Sequence, residues 1–301
     1  MIDLRRLHVL RAVEHYGTVT AAARALHLTT SAASQQVRGL ARELGVDLLE
    51  PQGRGVRLTP AARSLLAHAD AIQARWDQAE LDLRADHDDP AGLLRVSGVP
   101  TAASVLLAPM AARLRERHPR LSVRIQEAAV LEGFDLLFEG RADLSIVEVT
   151  PRNPPPGDAR FDQRPLLDDP FDLVVPDTHR LAGRDRIDLA EAAREDWIAP
   201  VADSPCRPHV LSACGAAGFT PDVVHLALDW NVMAHLVAHG LGVALVPRLA
   251  PLPPHLPLTR VRCTGDPHRK LLTCTRAGGH ERPAVAAALD ELRELARTAV
   301  A

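Results

Sequence analysis

The stretch from Thr18 to Gly45, TVTAAARALHLTTSAASQQVRGLARELG, leaves few folds open to this chain. It reads as two short helices meeting at a tight turn, the arrangement that lays a second helix in the major groove of DNA. Gly17 closes a preceding helix, where a left-handed residue is often needed and glycine adopts it freely, and Thr18 caps the next. Val19, Ala22, Ala23 and Leu26 share one face of the first helix. Ala33, Val37, Leu40 and Leu44 recur at i, i+4, i+7 and i+11 of the second, which makes one apolar stripe. Thr30, Ser31, Ser34, Gln35 and Arg38 fall off that stripe. Short hydroxyls, an amide and a guanidinium suit base edges and phosphates; a surface hairpin with a solvated face is the alternative.

Charge separates the two readings. From Met1 to Arg63 nine arginines face five carboxylates, a net of +4, so a chain whose total is -3 carries -7 over the remainder. A basic N-terminal module on an acidic body is what a polyanion-binding module joined to something else looks like. No apolar run approaches a membrane span, and MIDLRRLHVL lacks the long apolar core of a signal peptide, so a cytoplasmic protein is expected, with no membrane partner. Cys206, Cys214, Cys263 and Cys274 have no CxxC spacing, which argues against a zinc knuckle or a disulfide framework.

Taken in order, the chain predicts a first helix over Leu4 to Tyr16 that completes a three-helix core. QGRGV followed by Val56, Arg57 and Leu58 reads as a small hairpin or wing, with Arg54 at its tip and Arg57 beside it facing phosphates. Thr59 and Pro60 start a helix as cap and first-turn proline. It runs to about Ala85, roughly 39 Å at 1.5 Å per residue, and Ala62, Leu65, Ala69, Ile72, Trp76, Ala79 and Leu83 form a heptad seam. Leu65, Ile72, Trp76 and Leu83 are thus expected to hold a dimer. A polar hinge, DHDDPAG, follows.

Beyond the hinge the pattern alternates between strands and helices, a βαβαβ order that implies a parallel sheet with covering helices. A proline-rich passage over Pro151 to Pro156 opens a second α/β unit, and the last helix, Pro283 to Thr298, returns to the first. Two such lobes enclose a cleft where small ligands usually sit. The expected division is residues 1–58 for the DNA-binding domain, 59–86 for the linker helix, 87–92 for the hinge and 93–301 for the cleft domain. Within the last, lobe I takes 93–160 and 266–301 and lobe II takes 161–265.

These residues resemble the LysR-type transcriptional regulators over nearly the whole chain. The matching runs are Thr20 to Leu40, the turn at Gly45, GRGV-x-LTPA from Gly53, LRVSG, GRADLSI from Gly140, AAGFTP from Ala216 and VAHGLGVALVP from Val237. The resemblance implies an N-terminal all-α winged helix-turn-helix with a long linker helix, and a C-terminal two-lobed α/β effector domain like periplasmic solute-binding proteins. It also implies double-stranded promoter DNA as partner, a small-molecule effector in the cleft, homodimers through the linker that assemble into homotetramers, contact with RNA polymerase, and no cofactor, metal or catalytic residue. By position, Thr30, Ser31, Ser34 and Gln35 contact bases and phosphates, with Arg54 at the wing. The effector contacts fall on Pro100, Thr101, Ala102, Ser104, Ala128, Ala129, Glu148, Asp203, Ser204, Trp230 and Asn231. Helix N-terminal amides near Thr101 and Asn231 favour an anion, whereas Glu148 and Asp203 repel one and point to a neutral, aromatic-compatible or cationic effector.

The sequence departs from the family where Thr30 replaces the usual glutamine, Gln35 a cation, Ala41 a glutamate and Leu49-Glu50-Pro51 a Phe-x-Arg. Fewer cations mean fewer phosphate contacts and a shallower salt dependence. Two rivals remain. His235 and His239, i and i+4 on a helix, suit a metal enzyme but lack an HExxH glutamate, and Ser204-Pro205-Cys206 lacks a nucleophile elbow. A DNA-binding regulator without ligand response shares every N-terminal feature, and only a cleft filled by side chains distinguishes it.

Overall fold

The computed structural model describes residues 4–52, 55–66, 68–69, 72, 90–130 and 132–299, and divides the chain into two units, Met1–Ala85 and Asp86–Ala301. Arg54, Trp76 and Leu83 lie outside the described residues.

In the first unit, α1 (Leu4–Tyr16), α2 (Val19–Ala25) and α3 (Thr30–Leu44) precede an antiparallel hairpin of β1 (Leu49–Gln52) and β2 (Gly55–Leu58). Caps set the helix starts: Thr18 Oγ1 accepts from the Ala21 amide at 3.1 Å and Thr29 Oγ1 from the Ala32 amide at 3.2 Å. Gly45 ends α3 in the left-handed region at φ 67°. Leu10, Val13, Ala22, Ala33, Val37 and Leu40 are buried together, so the alanines let α2 and α3 approach α1 closely. Residues 60–66 are helical, with Ala62 and Leu66 buried within this unit, Leu65 half-buried and Ile72 exposed. The inward stripe therefore runs through Leu66, and Leu65 stands beside it.

The second unit has an eight-stranded mixed sheet. In lobe I, β3 (Gly92–Gly98) lies between β4 (Leu121–Glu127) and β5 (Leu144–Glu148), all parallel. A helical run over 100–117 covers it, made of Pro100–Ala102, a π turn Ala103–Leu107 and α4 (Ala108–Arg117), together with α5 (Glu132–Phe138) and α8 (Pro283–Ala299). Leu94, Val96, Leu106, Met110, Ile146 and Leu292 form its core.

Two long strands carry the chain between lobes: β6 (Phe161–Pro176) and β12 (His268–Arg276). They pair with each other as far as Pro170 opposite His268; from Phe171 on, β6 pairs instead with β10 (Ala244–Pro247) and β11 (Leu258–Cys263). The change of lobe thus falls at Pro170 and Phe171, not at residue 161, because the first half of β6 still takes its hydrogen bonds in lobe I. Lobe II adds β7 (Arg186–Ile187), the parallel pair β8 (Asp196–Pro200) and β9 (Asp222–Ala227), α6 (Arg207–Ala216) and α7 (Trp230–Ala238). Its core holds Phe171, Leu173, Trp197, Val210, Cys214 and Val261. The segment LAEAAREDW, whose pattern predicts a helix and then the start of a strand, has the strand start at Asp196 but only one 3-10 turn, Leu189–Ala192, in place of the helix, started by an Asp188–Glu191 capping box. It ends there because Trp197 must return to the core, where its indole donates to the Ala192 carbonyl at 3.1 Å.

Candidate functional site

Two surfaces carry chemistry, one in each unit. On α3, burial of Ala33, Val37 and Leu40 turns Thr30, Ser31, Gln35 and Arg38 to the exterior, with Ser34 half-buried at the edge of that face. Local bonds order it: Thr29 and Ser31 hydroxyls stand 3.1 Å apart, and Arg38 Nε donates to the Ser34 carbonyl at 3.3 Å. On the hairpin, Arg57 is exposed, yet its Nε donates to Glu50 Oε1 at 2.7 Å across the ladder. The wing arginine expected to face phosphates therefore already has a carboxylate, because Glu50 sits directly opposite it in the register.

In the second unit the change of lobe gathers a buried polar cluster around Arg269, a residue only 2 % exposed. Its Nε donates to Asp169 Oδ2 at 2.9 Å, and its Nη2 lies 2.8 Å from the same oxygen. Nη2 also donates to Thr101 Oγ1 at 2.6 Å, and Nη1 lies 3.4 Å from Glu148 Oε2. From lobe II, His209 Nε2 reaches Glu148 Oε1 at 3.1 Å, and the Cys206 thiol donates to Glu148 Oε2 at 3.8 Å. Lobe I supplies Thr101 and Glu148, the crossing strands supply Asp169 and Arg269, and α6 supplies His209, with Cys206 as its N-cap. Burial pushes the Cys206 thiol up to about 12, the Glu148 charge pushes the same way, and Arg269 only partly opposes them.

The other expected effector residues are dispersed. Ala102 and Ala128 are buried, Ala102 within the lobe I core. Ser104 is exposed and turns its hydroxyl back to the Pro100 and Thr101 carbonyls. Pro100, Ala129 and Asp203 are exposed, and the Ala129 amide donates to Glu132. Ser204 Oγ accepts from the Cys206 amide at 3.3 Å. Trp230 packs against two lobe II cores. The amides of Asn231 and Val232 donate to Asp229 Oδ1 at 2.8 and 3.1 Å, so this helix start is already capped by a carboxylate and offers no vacant anion site. Among the described residues no group of three or more His, Cys, Asp or Glu side chains is placed to hold a metal. His239 Nδ1 stands 2.7 Å from the His235 carbonyl oxygen.

Residues 4–63 match the bacterial regulatory helix-turn-helix protein model of the lysR family, and residues 87–297 match the LysR substrate binding domain. The chain belongs to the LysR family. It is a DNA-binding transcriptional regulator with a winged helix-turn-helix and a two-lobed α/β effector-binding domain. It is similar to a probable hydrogen peroxide-inducible genes activator from Streptomyces viridosporus, 32% identical over 82% of this chain and 78% of that one. The probable HTH-type transcriptional regulator LrrA of Synechococcus elongatus is 28% identical over 98% of both chains. Among solved structures, a full-length OxyR variant from Pseudomonas aeruginosa superposes with a TM-score of 0.64 at 24% identity, over 97% of this chain and 98% of that one.

Asp169, Arg269 and His209 of this LysR-family chain are not among the residues that its sequence singles out. A signal for the first two exists. Arg269, Leu271 and Thr273 share one face of β12, and Asp169, Phe171 and Leu173 one face of β6, so each charge stands in the buried phase of a strand. Charges in that phase need a partner, and each supplies the other's. Two cavities are prominent in the effector unit: one of about 620 Å³ along α6, lined by His209, Ser212, Ala216, Thr264 and His268, and one of about 230 Å³ lined by Phe134, Glu148, Asn153 and Gln163. Of the expected effector residues only Glu148 lines either.

Proposed function

We propose that this LysR-family regulator reads promoter DNA through Thr30, Ser31, Ser34, Gln35 and Arg38, with Arg54 and Arg57 on the wing. We also propose that it works in the cytoplasm without catalysing a reaction. The observation that carries the DNA contact is the exterior polar face of α3, laid over a buried apolar stripe within a basic module. Self-association through the helix after Thr59 is supported by Leu65 and Ile72, which stand outside the inward stripe of Ala62 and Leu66; a homotetramer and contact with RNA polymerase extend that reading. The effector we propose is neutral or cationic, since a fully buried carboxylate, Glu148, lies in the cleft.

The response to hydrogen peroxide in the relatives' names is not carried over. Peroxide reacts with thiolates, and burial favours the neutral thiol at Cys206. The deciding experiment titrates the purified protein against the DNA upstream of its own gene, with a scrambled duplex as control and salt varied. Tight, sequence-dependent binding with a footprint of two half-sites supports the reading; equal, weak binding to both duplexes that modest salt abolishes removes it.

A further inference from the structure

Glu148 ends β5, and the peptide that follows it is hydrogen-bonded at both its carbonyl and its amide. Asn153 Nδ2 donates to its carbonyl at 2.8 Å, and the next amide, Val149, donates to the Lys270 carbonyl at 2.9 Å. The Glu148 side chain leads into the cleft, where the carboxylate is 0 % exposed. There it meets Arg269 on the crossing strand and, from lobe II, Cys206 and His209 at the start of α6.

Arg269 does not need Glu148 for neutrality. Asp169 already binds the guanidinium through two nitrogens and also accepts the Leu249 amide at 2.9 Å, so it is itself held in place. The cluster therefore contains two carboxylates for one guanidinium, and the second carboxylate is the one that reaches lobe II. A buried carboxylate with this set of donors, an arginine, an imidazole and a thiol, has the surroundings that would otherwise receive the carboxylate of a bound molecule.

We propose that Glu148 is a tethered occupant of the inter-lobe cleft: its carboxylate takes the position of an anionic ligand group between Arg269 and His209, joins the lobes, and excludes free carboxylates. This rests on the ligand-sensing reading above and deepens it, because the residue sets the charge of what the cleft accepts. Specificity of this kind comes from occupying the competitor's position as much as from new attraction. Removing the carboxylate leaves a buried guanidinium and thiol and a half-buried imidazole around a space of its size, and a small free carboxylate then fits it.

The test uses the full-length protein and sodium formate, with sodium chloride at equal ionic strength as control. The wild type shifts its Tm equally in both salts, whereas Glu148→Ala melts lower and gains several degrees in formate beyond chloride, with saturation. Carbamidomethylation of Cys206 by iodoacetamide at pH 7.5, read by peptide mass, rises at least tenfold in Glu148→Ala, and formate returns it toward the wild-type rate. Glu148→Gln fills the same volume, so it labels faster than wild type and shows no formate response; Glu148→Asp restores part of the protection. A merely structural role moves the Tm but not the formate dependence. Formate-specific stabilisation of the wild type overturns the proposal, as does a folded Glu148→Ala that labels within twofold of wild type and ignores formate. If Glu148→Ala does not fold, Glu148→Gln decides, and labelling within twofold of wild type overturns it. Operator titrations of the same proteins run in parallel: loss of sequence-dependent DNA binding by the wild type, with the formate response of the variant intact, removes the regulator reading alone.

Discussion

Arg57 Nε donates to Glu50 Oε1 at 2.7 Å across the wing hairpin, where the two residues stand opposite each other in the β1–β2 register. An exposed pair of this kind contributes roughly 0–1 kcal/mol to stability, so its larger effect is on what Arg57 does at a polyanion. Freed by Glu50→Gln, the guanidinium gains a phosphate. Operator affinity then rises, and the slope of log K against log salt steepens by about 0.9, with little change in Tm. An unchanged slope in a salt series on one duplex shows that the wing does not reach the backbone there.

Ser34→Ala and Arg38→Ala separate two kinds of contact on α3. Arg38→Ala weakens binding to operator and scrambled duplex alike and reduces the salt slope by about 1. Ser34→Ala weakens the operator preferentially, by about 1 kcal/mol or more. Both keep the oligomer of the wild type in sedimentation velocity. Equal, unchanged titrations for the two variants displace the recognition surface from α3.

Asp143 makes a pH prediction. Its side chain is fully buried; burial raises its pKa, but the side-chain and backbone hydrogen bonds from Arg95, followed by Arg282, outweigh burial and hold the carboxyl below its ordinary value of 3.8. A carboxyl depressed on folding adds stability that is fully present above the unfolded value and is lost as pH falls through the folded one. Asp143→Asn therefore lowers stability at pH 7 by about 1.5–3 kcal/mol. Its loss of stability below pH 4 is also shallower than the wild type's in urea titrations. Parallel curves for the two proteins down to acid unfolding contradict this.

Gly133, the second residue of α5, lies directly over β5. A Cβ there meets Ser145 Oγ at 2.5 Å and Val147 Cγ1 at 2.9 Å, both on buried residues of a central strand. Gly133→Ala is therefore destabilising despite its helix-favouring residue, by about 1–3 kcal/mol from overpacking. A lower urea midpoint at unchanged m-value is the expected outcome, and an equal or higher midpoint shows that the helix shifts without strain.

Much of the fold is legible in the sequence because it rests on local rules. Thr18, Thr29 and Gly45 mark helix ends through hydrogen bonds within a few residues, and Ala33, Val37 and Leu40 mark a buried face through period alone. Strand and helix order beyond the hinge follows the same way. The segment at Leu189 misleads because its helical composition loses to the burial of Trp197, a tertiary demand that propensity does not contain.

The cleft is different. The family resemblance brings Glu148 and Thr101 forward, but nothing near them in the chain tells that they share one guanidinium. Asp169 and Arg269 are 100 residues apart, and Arg269 and Thr101 are 168 apart. Those meetings depend on where β6 leaves β12 for the strands of lobe II, at Pro170 and Phe171, which is a matter of sheet register. What the sequence determined by itself is the helix-turn-helix, the family and the alternating α/β plan, since caps, periodicity and charge balance act over short spans of chain. Only the tertiary structure decided that Glu50 holds Arg57, that Asp229 closes the helix start at Asn231, and that Glu148 and Asp169 share the buried guanidinium of Arg269. Whether a buried charge is satisfied depends on partners that long-range packing brings into reach.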